Sequence, residues 1–250
     1  MKSFFKNFVF KLIKKLPITI QNTFSNMFFQ TSLFKTIKDI KNLGFEIKNI
    51  YDVGAHKGNW SVAMNKELLD ANFYLFEANS QHEEDLKKLD YQYYINVLSN
   101  NEKNIDFYSN NAGTGDSYYK ENTLTYDTVK SKQIRSKTLD DLVKKNEIPL
   151  PDFIKIDTQG SELDILNGAY DCLKNTKVLL LECPIYHFNS GAPMMPDYID
   201  FLTKFNFYPS QCVELHNLSG VLIQIDILFL NKKVLEKLNI NFEKFYKIYK

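Results

Sequence analysis

Asp52-Val53-Gly54-Ala55-His56-Lys57-Gly58 is the stretch that decides the fold. The run Asn49-Ile50-Tyr51-Asp52-Val53 is β-prone. The glycines end it, and apolar residues at Val62, Ala63, Leu68 and Leu69 follow on a spacing that fits a helix over 60–69. A strand, a glycine turn and a helix make the unit of an open α/β sheet, and that turn is where such sheets bind nucleotide-like ligands. Glycine at 54 and 58 lets backbone N–H groups approach a ligand closely. The spacing is not the Gly-x-Gly-x-x-Gly of dinucleotide binders, and the chain has no Gly-x-x-x-x-Gly-Lys-Ser/Thr loop, which disfavours both a dinucleotide and ATP.

Outward from this unit the alternation continues. A strand is expected at 72–76, a helix at 82–89, a strand at 93–98, a helix starting at 138–142, a strand at 152–156, a helix at 162–173 and strands at 177–181 and 220–230. Residues 110–131 are polar, contain Gly113 and Gly115, and are expected to form a long surface loop. Repeated strand–helix crossovers imply a mostly parallel sheet with helices on both faces. At 250 residues the chain suits one such domain, at 46–232, with a basic N-terminal extension at 1–45 and a lysine-rich tail at 233–250.

Lys and Arg number 31 against 30 Asp and Glu, a balance unsuited to a protein that neutralises many nucleic-acid phosphates. Arg135 is the sole arginine, so the forked contacts of base and phosphate readers are nearly absent. Cys172, Cys183 and Cys212 are odd in number and far apart, which leads us to expect a reducing cytoplasm. Residues 1–38 carry seven lysines and no acid, interleaved with Phe4, Phe5, Phe8, Val9, Leu12 and Ile13. No apolar run is long enough to span a bilayer. The alternatives are an amphipathic helix lying on anionic lipid at the inner face of the membrane, contact with another copy of the chain, and a helix packed on the domain with its lysines in water.

Glu77 closes the second strand, 19 residues after Gly58, where an acid accepts the ribose hydroxyls of an adenosine. With Phe76-Glu77-Ala78-Asn79, Asn96-Val97-Leu98-Ser99, Thr138-Leu139-Asp140, Asp152 to Glu162 and Asn167-Gly168-Ala169, the first motif resembles the FkbM family of S-adenosylmethionine-dependent methyltransferases over about residues 48–231. The resemblance implies a Rossmann-like class I methyltransferase fold. Its seven-stranded sheet is mostly parallel, with the last strand antiparallel between its neighbours, and the methyl group usually goes to a hydroxyl. It also implies that Gly54, Ala55 and Gly58 hold the methionine end of S-adenosyl-L-methionine, Glu77 the ribose, Asn79 the region beside it, and Asn96 and Ser99 the adenine. Asp52 and Ala78, in the same motifs, complete the cofactor set. Gln159 stands where the family commonly has glutamate, which removes a charge but keeps a hydrogen-bonding group.

Asp157 and Glu182 end strands at the carboxyl edge, and alternation in the last strand aims Gln224 and Asp226 at one face. Carboxylates from three neighbouring strands then surround one hydroxyl or one divalent cation such as Mg²⁺, held by Asp157 and Glu182. The proton of the acceptor goes to such a metal-activated site or to a base, for which His187 on the overhanging loop is the first candidate and His216, on another connection, the second. His56 lies beside the cofactor without chemistry. The catalytic candidates are therefore Asp157, Glu182, His187 and Asp226. Through the resemblance alone, the acceptor is a nucleotide-linked sugar or a surface polysaccharide of bacterial capsule or glycan biosynthesis. Tyr118, Tyr119 and Tyr126 are candidates to stack on it, and Arg135 is one to meet a diphosphate. The other readings are a nicotinamide-dependent enzyme and a membrane-docked module without chemistry.

Overall fold

A computed structural model of the chain describes residues 15–109, 115–218 and 220–238. Its main sheet has seven strands in the order β3-β2-β1-β6-β7-β9-β8. They are β1 (Asn49–Val53), β2 (Asn72–Glu77), β3 (Gln92–Ile95), β6 (Phe153–Ile156), β7 (Val178–Pro184), β8 (Phe207–Leu218) and β9 (Val221–Asn231). All run parallel except β9, which lies antiparallel between β7 and β8. A separate antiparallel pair, β4 (Asn104–Tyr108) and β5 (Ser131–Arg135), stands beside the carboxyl edge.

The helices are α1 (Ile18–Asn42), α2 (Asn59–Asn65), α3 (Glu83–Leu86), α4 (Leu124–Asp127), α5 (Leu139–Lys145), α6 (Glu162–Asn167), α7 (Tyr170–Asn175), α8 (Met195–Lys204) and α9 (Lys232–Lys237). Alternation along the buried strands splits the core in two. Tyr51, Ile154, Leu179 and Phe229 meet α5 to α8 on one face, through side chains such as Leu142, Leu166, Leu173 and Tyr198. Ile50, Phe153, Leu180 and Leu228 meet α1, α2 and α9 on the other. Leu33, Ile37 and Ile40 of α1 are buried there on a helical spacing, each worth roughly 1.5–3 kcal/mol of burial. This stretch of the basic extension thus packs on the sheet, while residues 1–14 lie outside the described residues.

Several elements differ from the sequence expectation, among them the strands β4 and β5 and the helix α8, which it did not include. The helix expected at 162–173 is two short helices broken at Gly168, where an added Cβ would lie 2.4 Å from the Ser99 carbonyl oxygen. The long loop expected at 110–131 is shorter, because α4 and the start of β5 fall within it. β8 is a twelve-residue edge strand whose polar residues and register shifts near Pro209, Cys212 and His216 hide its period of two.

Candidate active site

The turn after β1 is built by close packing. Gly54 and Ala55 donate their N–H groups to the Phe76 carbonyl (2.9 and 3.1 Å). Gly54 has φ +73°, and a Cβ there would lie 1.9 Å from the carbonyl oxygen of Asp157, so only glycine lets β1 leave the sheet against the end of β6. Lys155, on β6 in register with Asp52, fixes the same turn from below. Its buried ammonium meets Asp52 Oδ1 at 3.0 Å and Asp157 Oδ2 at 3.7 Å and donates to the Gly54 carbonyl at 3.1 Å. Burial pulls the lysine pKa down, but the two carboxylates outweigh it and hold it above its ordinary value.

Glu77 stands at the end of β2, buried, with one carboxylate oxygen accepting the His56 N–H at 2.6 Å and the other the Asn79 N–H at 2.8 Å. Burial pushes its pKa up and these two N–H groups oppose that. Each oxygen has a second lone pair, the acceptor capacity a ribose diol needs. A cavity of about 300 Å³ opens in front, lined by Gly54, Glu77, Ala78 and Asn96, with Phe76, Val97, Leu98, Phe107 and Ile165 as its apolar wall. His56 and His82 also line it, with ring centroids 4.1 Å apart. His56 Nε2 is buried there without a hydrogen-bond partner, a polar atom that a ligand would satisfy. An apolar slot, a carboxylate with free lone pairs and an orphaned imidazole nitrogen fit an adenosine.

The other residues expected to hold the cofactor stand behind this wall. Asp52 is fully buried, accepting from Ser61 Oγ (2.7 Å) and paired with Lys155. Asn79 donates to Asp116 (2.7 Å), which lines the cavity in its place. Ser99 is fully buried beneath Tyr118, whose hydroxyl oxygen lies 3.3 Å from its Oγ, so its side chain is turned away from an adenine. Ala55 and Gly58 shape the turn, and a Cβ on Gly58 would strike Leu89 at 2.3 Å.

From the cavity a row of acids crosses the sheet. Asp157 follows β6, and Glu182, Asp226 and Glu214 pair in register on β7, β9 and β8. Gln159 Nε2 donates to Asp157 Oδ1 (3.0 Å) and Glu182 Oε2 (2.6 Å). Gln159 and Gly160 adopt φ of 56° and 101°. Buried Glu162 holds this turn, accepting from the N–H groups of Thr158 (2.8 Å) and Gly160 (3.0 Å) and from the Tyr198 hydroxyl (2.6 Å). Farther along, His216 Nε2 lies 2.9 Å from Asp226 Oδ1, and Asn26 of α1 donates to Glu214 at 3.3 Å. Burial, reinforced by Asp157, Asp226 and Glu162, raises the Glu182 pKa well above the usual carboxylate range. Burial also raises that of Asp226 against the opposing His216, and the hydrogen bond to Asp226 raises that of His216.

Several expected placements change. Glu182, His216 and Asp226 bring one ligand atom each to within 4.8 Å of one another, and the expected metal pair, Asp157 and Glu182, is joined by hydrogen bonds from the Gln159 amide. His187 is exposed on the loop after β7, its carbonyl accepting from Asn122 (3.2 Å), and it lines neither the cavity nor the acid row. His216 lies within β8 rather than on a connection, and this edge strand brings it to Asp226. Tyr126 is buried, Tyr118 and Tyr119 donate to Asp164, and Arg135 pairs with Glu102 at 2.9 Å on exposed β5. Lys155 escaped the sequence reading, although a lysine inside Phe153–Ile156 was a visible signal.

A seven-stranded sheet of this order, with its one reversed strand next to last at the edge and a cavity of about 300 Å³ beyond β1 and β2, defines a class I S-adenosylmethionine-dependent methyltransferase. The methyltransferase FkbM domain matches residues 52–209, and the chain belongs to that family. This excludes the nicotinamide alternative. Among solved structures, it is similar to precorrin-6y C5,15-methyltransferase from Geobacter metallireducens GS-15, with 12% identity and a TM-score of 0.43 over 79% of this chain and 87% of that one. The magnesium protoporphyrin IX methyltransferase ChlM from Synechocystis PCC 6803, with bound SAM, is 9% identical with a TM-score of 0.43 over 87% and 85% of the two chains. TrmK from M. capricolum, in complex with S-adenosyl-homocysteine, is 11% identical with a TM-score of 0.42 over 77% and 67%. No curated protein sequence matches the chain.

Proposed function

We propose that this methyltransferase transfers the methyl group to a hydroxyl of a sugar, carried on a nucleotide or in a surface polysaccharide. The observation that supports this reading is the row Asp157, Glu182, Asp226 and Glu214, which starts at the cofactor cavity and carries Gln159 and His216 between its acids. Carboxylates, an amide and an imidazole accept and donate hydrogen bonds to several hydroxyls at once. Two strand spacings, about 10 Å, separate Asp157 from Asp226, with Glu182 and the Gln159 amide between them.

When bound, S-adenosyl-L-methionine supplies an electrophilic methyl on a cationic sulfur. In this chain Glu77 would hold its ribose, the apolar wall its adenine and the turn at Gly54 its amino-acid end. Asp157, partly exposed at the cavity mouth, places negative charge where the sulfonium would lie. The residues on the acceptor side then have two tasks, aligning a hydroxyl oxygen and receiving its proton. Glu182 suits the second task, because a carboxylate whose pKa is raised by burial and neighbouring acids is a stronger base than an ordinary one, and Gln159 fixes its orientation. The Glu162–Tyr198 hydrogen bond keeps the Gln159 turn in place. In this scheme the proton goes to Glu182, beside Asp226 and His216.

The test is transfer of labelled methyl from S-adenosylmethionine to a panel of nucleotide-sugars and polysaccharides, with Glu182→Gln as control. Label in a sugar ether that the variant cannot form supports the reading. Label in amines or nucleic acid alone refutes it.

A further inference from the structure

Residues 115–122 form a strap whose first part, Gly115 to Tyr118, lines the cofactor cavity. The strap is pinned along its length. Ser117 pairs with Tyr108 of β4 through both backbone groups (2.8 and 3.1 Å), and the Tyr118 hydroxyl donates to Asp164 of α6 at 3.1 Å. Beyond these, the Lys120 carbonyl accepts from the Ser190 N–H and the Asn122 N–H donates to the Phe188 carbonyl, both at 2.8 Å. Gly115 turns the chain at φ +82°, where an added Cβ would lie 2.8 Å from Glu121 Oε2. A segment held in this way keeps its side chains at fixed positions on the cavity.

Asp116 is the charged residue of the lining part, and one buried residue ties it to Glu77. Asn79 donates its backbone N–H to Glu77 Oε1 at 2.8 Å and its side-chain amide to Asp116 Oδ2 at 2.7 Å, while its Oδ1 accepts from the Gln81 N–H at 3.0 Å. Rotation of Asn79 would break these bonds, so it fixes the spacing of the two acids. The groups also feel one another's charge. Burial raises the Glu77 pKa and the Asp116 charge adds to the rise. Burial lowers that of His56, with His82 adding to the fall and Glu77 and Asp116 opposing it. Glu77, Asp116 and the orphaned His56 Nε2 therefore make one polar corner in a cavity whose remaining wall is largely apolar. In an adenosine the purine suits the apolar wall and the ribose, with its two neighbouring hydroxyl donors, suits the corner. A carboxylate offers about four lone-pair positions, so the bond from Asn79 does not exhaust Asp116.

We propose that Asp116 is a second ribose-binding carboxylate, accepting a hydrogen bond from one hydroxyl of the cofactor ribose that Glu77 holds, and that Asn79 is the positioning residue between the two. The test is a binding cycle on the full chain. Titration calorimetry, by competition where binding is weak, gives the Kd of S-adenosylhomocysteine, of its 2′-deoxy and 3′-deoxy forms, and of S-inosylhomocysteine, which lacks the adenine amino group. Asp116→Ala should weaken S-adenosylhomocysteine and S-inosylhomocysteine alike, by roughly tenfold or more. It should change the Kd of one deoxy form by less than about twofold, because the hydroxyl that Asp116 would meet is already gone from that ligand. Asp116→Asn, which keeps the shape of the strap, should show the same pattern with a smaller loss, and it decides the test if thermal melts show that the alanine variant does not fold. Three results would overturn the proposal. An equal loss with all four ligands would make Asp116 a latch for the strap alone, a loss spared only with S-inosylhomocysteine would move its contact to the adenine, and no loss with any ligand would remove it from the site. No acceptor enters the assay, so its outcome is independent of the proposed sugar methylation.

Discussion

Glu182 and Asp226 face each other in register across β7 and β9, a buried and a half-buried carboxyl group on adjacent strands with burial raising the pKa of both. In the folded chain each holds its proton more tightly than in the unfolded one. The stability tied to these protons is present below the ordinary carboxylate pKa and is lost as pH rises through the raised values. Glu182→Gln removes the repulsion but keeps the shape. We expect the variant to melt higher than the parent, by an amount that grows as pH rises above the ordinary carboxylate range, with each kcal/mol recovered moving Tm by roughly 2–4 °C. Its turnover should fall about 10²–10⁴-fold. Calorimetry at pH values above that range checks the first expectation, and a variant less stable than the parent at the upper end would contradict it.

Glu77→Gln places an amide NH₂ against one of two backbone N–H donors, those of His56 and Asn79, and removes a charged ribose acceptor. A hydrogen bond to a charged group is worth about 1.5–3 kcal/mol, so the Kd for S-adenosylhomocysteine should rise roughly 10- to 150-fold. Titration calorimetry measures this directly. An unchanged Kd would remove Glu77 from the site.

Gly54→Ala forces a Cβ to within 1.9 Å of the Asp157 carbonyl at a φ of +73°. Backbone strain and overpacking together should cost about 2–5 kcal/mol. Urea denaturation reads the loss, and a variant within about 1 kcal/mol of the parent would show that the turn has room to move.

Tyr198→Phe leaves the buried Glu162 carboxylate without its 2.6 Å hydroxyl partner. The cost should be about 1.5–3 kcal/mol of stability, and turnover should fall while cofactor affinity holds, because the Gln159 turn serves the acceptor side. Equal losses in cofactor affinity and turnover would show that the clamp supports the whole site.

The parallel strands and the cofactor turn were legible because buried strands read as apolar runs closed by glycine. β8 was not, since an edge strand with Pro209, Gln211, Glu214 and His216 and several register shifts has no clean alternation. β4 and β5 were hidden for a similar reason, as exposed residues dominate the pair. Asp157, Glu182 and Asp226 could be placed at one edge by counting strand positions. Which groups they touch could not, because the Gln159 bridge depends on a left-handed turn and the His216 contact on a bulged strand. Lys155 shows the opposite case, since its charge inside an apolar strand was visible and only its partner Asp52 awaited the register.

The central claim is that the acids beyond the cofactor cavity prepare a sugar hydroxyl for methylation. Its most direct test is the site of label after turnover with methyl-labelled S-adenosylmethionine and a nucleotide-sugar panel, repeated with Glu182→Gln and after exhaustive chelation. We predict an O-methyl sugar formed by the parent with or without chelator, and none by the variant, which should still bind S-adenosylhomocysteine. Turnover by the variant at the parent's rate, or label found only on nitrogen or carbon, would contradict the account.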